Sequence, residues 1–153
     1  MPEHDDESFE AFFTVAEPRL RRALVAAFGT TVGREAAIDA LAYGWEHWER
    51  VAAMANPVGY LYRVGQSSVR TRAEGRWHSA AVVAEASWFE PALPSALADL
   101  SERERQAVVL VDGFGWTLRE VAEVAGVAVS SVQSYRDRGL EKLRAALGVT
   151  EDA

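Results

Sequence analysis

The chain has 153 residues, enough for one compact domain or two small ones, and 49% of them are apolar, so a real core can be buried. It has no cysteine, which excludes disulfides and thiolate metal sites, and no apolar run near the roughly 20 residues needed to span a bilayer. A net charge of −7 argues against strong nonspecific binding to nucleic acid, because phosphate neutralisation supplies most of that affinity.

The opening stretch, MPEHDDESFE, is acidic and has no apolar signal core, so a cytoplasmic protein is expected. Phe9, Phe12, Phe13, Val15, Ala16 and Leu20 then fall at helical spacing, and Leu24, Ala27 and Phe28 continue the stripe. Gly29-Thr30-Thr31-Val32-Gly33 is expected to break it. A second amphipathic segment spans Arg34 to Val51, with Ile38, Leu41, Ala42, Trp45 and Trp48 on one stripe. Asn56-Pro57 starts a third, since proline suits a first helical turn, and Tyr60, Leu61, Val64 and Val69 are its expected buried face. Arg63, Arg70, Arg72 and Arg76 cluster in this stretch beside Tyr60 and Tyr62. Cations interleaved with aromatics suit single-stranded or distorted DNA, because arginines hold phosphates and rings stack on unpaired bases. An ordinary helix with its tyrosines in the core accounts equally well for the same residues.

Past Gly75 the periodicity fails. The stretch from Arg76 to Pro94 contains Pro91 and Pro94 and reads as a linker, with a short helix through Ala80 to Ala86. Trp77, Trp88 and Phe89 are large for a free linker and are expected to be at least partly buried. Helical signal returns at Ser95. Ser101 and Glu104 form an S-x-x-E capping box that opens a helix ended by Gly113 and Gly115. Thr117 and Glu120 form a second box, opening a short helix to Ala125, and Gly126 stands where a left-handed cap is needed. The last helix carries Val132, Tyr135, Leu140, Leu143 and Leu147, and Gly148 closes it. With no alternating strand pattern, the fold class is all-α: two small helical domains joined by a linker, the second with a helix-turn-helix.

That motif has identifiable requirements. Counting Leu118 as the first position, Ala122 is the fifth, and its small side chain lets two helices approach. Gly126 is the ninth and makes the turn. Val132 is the fifteenth and packs the second helix back on the first. The second helix then presents Ser130, Ser131, Gln133 and Ser134 to a major groove, with Arg136 and Arg138 further along and Thr117 at the start of the first helix. Glutamine pairs with adenine, serine reaches base edges or phosphate, and arginines hold the backbone. An αα-hairpin used only for packing is the competing reading, and Ser130 with Gln133 also spells a capping box.

Taken together, these stretches resemble the extracytoplasmic-function (ECF) group of bacterial sigma factors, over roughly Ser8 to Leu147. FEAFFTVAEPRLRRAL looks like the group's opening helix, Glu35 to Trp48 like its clamp-binding helix, and NPVGYLYRV like the start of its promoter-melting helix. Leu97 to Leu147 is similar to its upstream-element domain. The resemblance implies residues 1–75 as a core-polymerase-binding and promoter-melting domain, 76–94 as a linker and 95–150 as the helix-turn-helix domain. It implies polymerase contacts at Glu35, Ile38, Asp39, Tyr43 and Trp45. It implies DNA contacts at Tyr60, Arg63, Gln66, Arg70 and Arg72, besides those of the helix-turn-helix. Core RNA polymerase, promoter DNA and an anti-sigma protein are the implied partners, with no membrane insertion.

Several positions depart from the group's pattern. Ile38 stands for a usual glutamine, Gln66-Ser67 for an arginine-asparagine pair, Gln133 and Tyr135 for a lysine and an arginine, and Ala128 for a serine cap. The expected function is transcription initiation without catalysis. The alternative is a degenerate sigma-like regulator that binds DNA or a partner but does not initiate. No cofactor is expected: His4, His47 and His78 lack ligand spacing, and no cluster of convergent acids, bases or nucleophiles suggests an enzyme.

Overall fold

A computed structural model describes residues 3–72 and 92–148, and every regular element among them is helical. The expected helix at Ala80 to Ala86 and the three rings Trp77, Trp88 and Phe89 lie outside the described residues.

Helix α1 (Glu3–Phe28) and helix α2 (Thr30–Glu46) form an antiparallel pair. The break between them is shorter than the sequence suggests. Gly29 alone departs from helical geometry, at φ 92°, and Thr30 to Gly33 already belong to α2. Gly33 is there for proximity rather than for a turn: a Cβ on it would lie 2.5 Å from the backbone of Val25, so α1 and α2 touch main chain to main chain. The second expected helix is likewise two. It stops at His47, and a short helix α3 (Trp48–Ala52) follows. That interruption sinks Trp48 between Phe9 and Phe12, with ring centroids 5.3 and 4.9 Å away.

Helix α4 (Pro57–Arg72) opens as expected, with the Gly59 amide donating to Asn56 Oδ1 at 3.0 Å. Its buried face is set differently. Leu61 and Tyr62 are buried, whereas Tyr60, Val64 and Val69 are only partly covered.

Helix α5 (Leu93–Ala98) leads into α6 (Glu102–Val108), whose capping box is complete: Ser101 Oγ accepts from the Glu104 amide and Glu104 Oε1 accepts from the Ser101 amide. The helix does not simply end at its glycines. It widens into a π turn (Val109–Gly113) in which the Phe114 amide reaches the Val109 carbonyl. Helices α7 (Leu118–Ala125) and α8 (Val129–Leu147) are the last elements among the described residues.

One apolar core runs through the molecule. Leu20, Leu24 and Leu61 of the first half are continuous with Leu97, Leu110, Val121 and Val132 of the second. Between the halves, α1 packs on α6, the π turn and α7, and α4 packs on α7.

Candidate nucleic-acid interface

The α7–α8 unit has the geometry that its sequence spacing demands. Thr117 Oγ1 accepts from the Glu120 amide at 3.1 Å, and Glu120 Oε1 accepts from the Thr117 amide at 3.3 Å. Gly126 takes the left-handed conformation at φ 69°, where a side chain is strained, and turns the chain toward α8. Ala122 and Val132 are both buried where the two helices meet.

The outer face of α8 is polar. Ser130, Gln133, Ser134 and Arg138 are exposed and Ser131 is half-buried. The capping box read into Ser130 and Gln133 is not made. Ala128 is the N-cap and supplies no side-chain bond, so Ser130 and Gln133 both point from the body of the helix. Arg136 and Arg138 differ. Arg136 is forked onto Asp112 through two hydrogen bonds of 2.8 and 2.9 Å, and those bonds raise its pKa. Its charge is therefore balanced at the surface of the π turn. Arg138 lies over the ring of Tyr135, 5.2 Å from its centroid, and Arg103 approaches the same ring at 6.0 Å. Tyr135 occupies the place of an expected cation, yet two cations flank it. The sequence offers no signal for Arg103, which comes from another helix.

The α4 residues are drawn toward the helix-turn-helix. The guanidinium of Arg63 lies at the Gly126 turn, so close that a Cβ on Gly126 would sit 2.7 Å from its Nη2. Gln66 Nε2 donates to Glu102 Oε1 at 3.0 Å. Arg70 is exposed, and Arg72 ends the helix. The two tyrosines have separate environments. Tyr62 is 2% exposed, accepts from Gln106 Nε2 at 2.9 Å, and is pushed by burial well above the usual tyrosine range. It is a core residue and cannot stack on a base in this conformation. Tyr60 is half-exposed, its hydroxyl 3.2 Å from that of Tyr43, and that hydrogen bond raises its pKa. Arg50 donates to both hydroxyls and His47 packs on the Tyr43 ring, making a cluster that sequence reading missed because the helix break at His47 brings it together.

The residues expected to meet polymerase divide into two sets. Ile38, 67% exposed, and Trp45, 37% exposed, line an apolar groove of about 490 Å³ with Phe9, Phe13 and Leu41. Glu17 and Arg34 also line it, and Glu35 lies exposed on the same helix. Asp39 and Tyr43 turn instead toward α4: Asp39 Oδ2 accepts from Ser68 Oγ at 2.8 Å, and Tyr43 meets Tyr60. Among the described residues no group of three or more acids and histidines is arranged to hold a metal, and no helix is long and apolar enough to cross a membrane.

The α7–α8 pair has the helix-turn-helix geometry by which DNA-binding proteins place a second helix in a major groove. Residues 91–143 match the family model for sigma-70, region 4, which contains the whole α7 and most of α8. The complete chain is similar to the sigma factor RpoE from Bartonella quintana, seen in complex with the anti-sigma factor NepR. The TM-score is 0.62, the identity is 18%, and 95% of this chain and 99% of that one are covered. No curated protein matches the sequence. Residues 91–143 are thus similar to sigma-70, region 4, and the chain shares the fold of that sigma factor over 95% of its length.

Proposed function

We propose that this chain is an ECF-type sigma factor that directs core RNA polymerase to promoters, acting in the cytoplasm without catalysis or a cofactor. Its helix-turn-helix carries this reading. Ala122, Gly126 and Val132 close the motif, and Ser130, Gln133, Ser134 and Arg138 line its free face within a region 4 match. In this reading residues 95–150 bind the upstream element, 76–94 connect, and 1–75 dock on polymerase and hold the melted strand. The groove of Ile38 and Trp45 fits a docking surface, because contiguous exposed apolar area on a small protein marks a partner site. Tyr60, Arg63, Gln66, Arg70 and Arg72 supply the melted-strand contacts. An anti-sigma protein is a further partner, as for the Bartonella factor.

Run-off transcription with core polymerase on genomic promoter fragments tests the proposal. Initiation from discrete fragments, lost in the Ile38→Asp variant, is the expected result. Absence of initiation by a chain that still binds those fragments supports the second reading, a sigma-like regulator that does not initiate. One observation favours that alternative: Arg136, a natural phosphate contact, is already committed to Asp112.

A further inference from the structure

A helix laid in the major groove meets base edges with the outward side chains of its N-terminal part. On α8 those are Val129, Ser130, Gln133 and Ser134, all exposed, with Ser131 at their edge. None of them is charged. Val129 is 43% exposed, and among the described residues it is the one exposed large apolar side chain of α7 and α8. A single bare valine is ordinary on a protein surface. This one stands four positions before Gln133, so the two side chains are neighbours on one face of the helix, about 5–6 Å apart at their Cβ atoms.

The cations suited to guanine are held elsewhere. Guanine presents two acceptors to the groove, O6 and N7, and its usual partner is an arginine or lysine that donates to both. Arg136 is forked onto Asp112. Arg138 is folded back along its own helix: Nε donates to the Ser134 carbonyl at 3.3 Å and the guanidinium covers the Tyr135 ring, which leaves it a place at the phosphates. Arg103 reaches the same ring from α6. Arg119 lies in the first turn of α7, the helix that crosses the DNA backbone in this motif. Asp137, one turn beyond Gln133, adds only acceptors, which the guanine edge cannot use.

What remains matches an A·T pair group by group. Adenine offers N7 as acceptor and its N6 amine as donor, and the Gln133 amide supplies one donor and one acceptor to match. Thymine carries a C5 methyl into the groove, and Val129 is an apolar surface beside that amide. We propose that α8 specifies an A·T element: Gln133 bonds an adenine, Val129 covers a thymine methyl on the same or an adjacent pair, and the serines add contacts that either base satisfies. This rests on the sigma-factor reading, and the test separates the two.

Duplexes are selected from randomised DNA with the full chain, alone at low salt and in complex with core polymerase. The selected duplexes should share one or more A·T pairs. Replacing each thymine in turn by uracil deletes one methyl group. At one position the native chain should lose about fourfold in affinity, the worth of one buried methyl, and Val129→Ser should abolish that discrimination. Exchanging the adenine read by Gln133 for guanine should cost the native chain about tenfold or more. Gln133→Arg should reverse that preference while keeping the response to uracil, a gain that no folding defect imitates. The proposal is overturned by selected duplexes whose essential pairs are all G·C, by uracil tolerated at every position, or by a uracil penalty that Val129→Ser retains in full. Any of these alongside run-off initiation removes the base assignment and leaves the sigma reading standing. The expected duplexes without initiation support the base assignment and remove the sigma reading. Recovery of no duplex by either preparation overturns both.

Discussion

At the N-terminus of α8, Ala128 occupies an N-cap position without providing a cap. Ala128→Ser supplies the side-chain acceptor that the start of α8 lacks and should stabilise the chain by about 1 kcal/mol, readable as a higher urea midpoint with unchanged slope. Glu104 tests the opposite end of the same packing. Burial alone pushes its carboxyl up, but hydrogen bonds from Lys142 and Ser101 outweigh this and hold it below the ordinary glutamate value. A lowered folded-state pKa gives stability that is present above the unfolded value and is lost as pH falls through the folded one. Glu104→Gln should therefore cost about 1 kcal/mol at pH 7. The difference from the native chain should shrink below roughly pH 4, where the native carboxyl protonates too. Urea melts at the two pH values check this, and a cost that is the same at both contradicts it. Partners three positions apart were legible in the sequence at Ser101–Glu104 and Thr117–Glu120, although the same spacing at Ser130–Gln133 makes no box. Asp112 opposite Arg136 and Gln106 beneath Tyr62 were not legible, because those partners meet only when distant helices pack.

Among the elements, local rules located the glycine caps but missed the break at His47 and the π turn, and misread Gly33. Gly126 and Gly148 both cap helices in left-handed geometry, as their positions after apolar-periodic runs imply. Gly33 looked like part of a breaker and is instead the contact point of α1 with α2. Gly33→Ala should improve intrinsic helicity yet destabilise the chain by roughly 1–3 kcal/mol, since the added carbon meets backbone that cannot rotate away. A neutral or stabilising effect in thermal melting would contradict the close packing. Tyr62 makes a related point. Two positions after Tyr60, it lies on the opposite side of α4, and the packing of α6 makes it the buried ring of the two.

For the whole molecule, the fold class and the motif were legible because helical periodicity and cap chemistry are local signals. The union of the halves was not, because its shared apolar core and its polar contacts alike join residues far apart, Arg105 and Gln106 reaching carbonyls 78 and 83 residues away in sequence. The net charge of −7 acts at this scale as well. With Arg136 balanced by Asp112, few cations remain on the α8 face, so affinity for promoter DNA without polymerase should be low and only shallowly dependent on salt. Arg138→Ala should weaken DNA binding across all sequences and reduce the magnitude of the salt slope by about one, measured by anisotropy titration of the polymerase complex. An unchanged slope would remove Arg138 from the phosphate contacts.

The π turn at Val109–Gly113 has a consequence in time rather than in space. Just ahead of it, α6 is anchored by Arg105 and Gln106, and just behind it the chain enters the helix-turn-helix. A π turn replaces the i→i+4 ladder with i→i+5 bonds and is seldom sustained beyond a single turn. In hydrogen–deuterium exchange the amides of residues 109–113 should therefore lose protection well before those of α6, so that the reading head is joined to the body of the protein by its first segment to breathe.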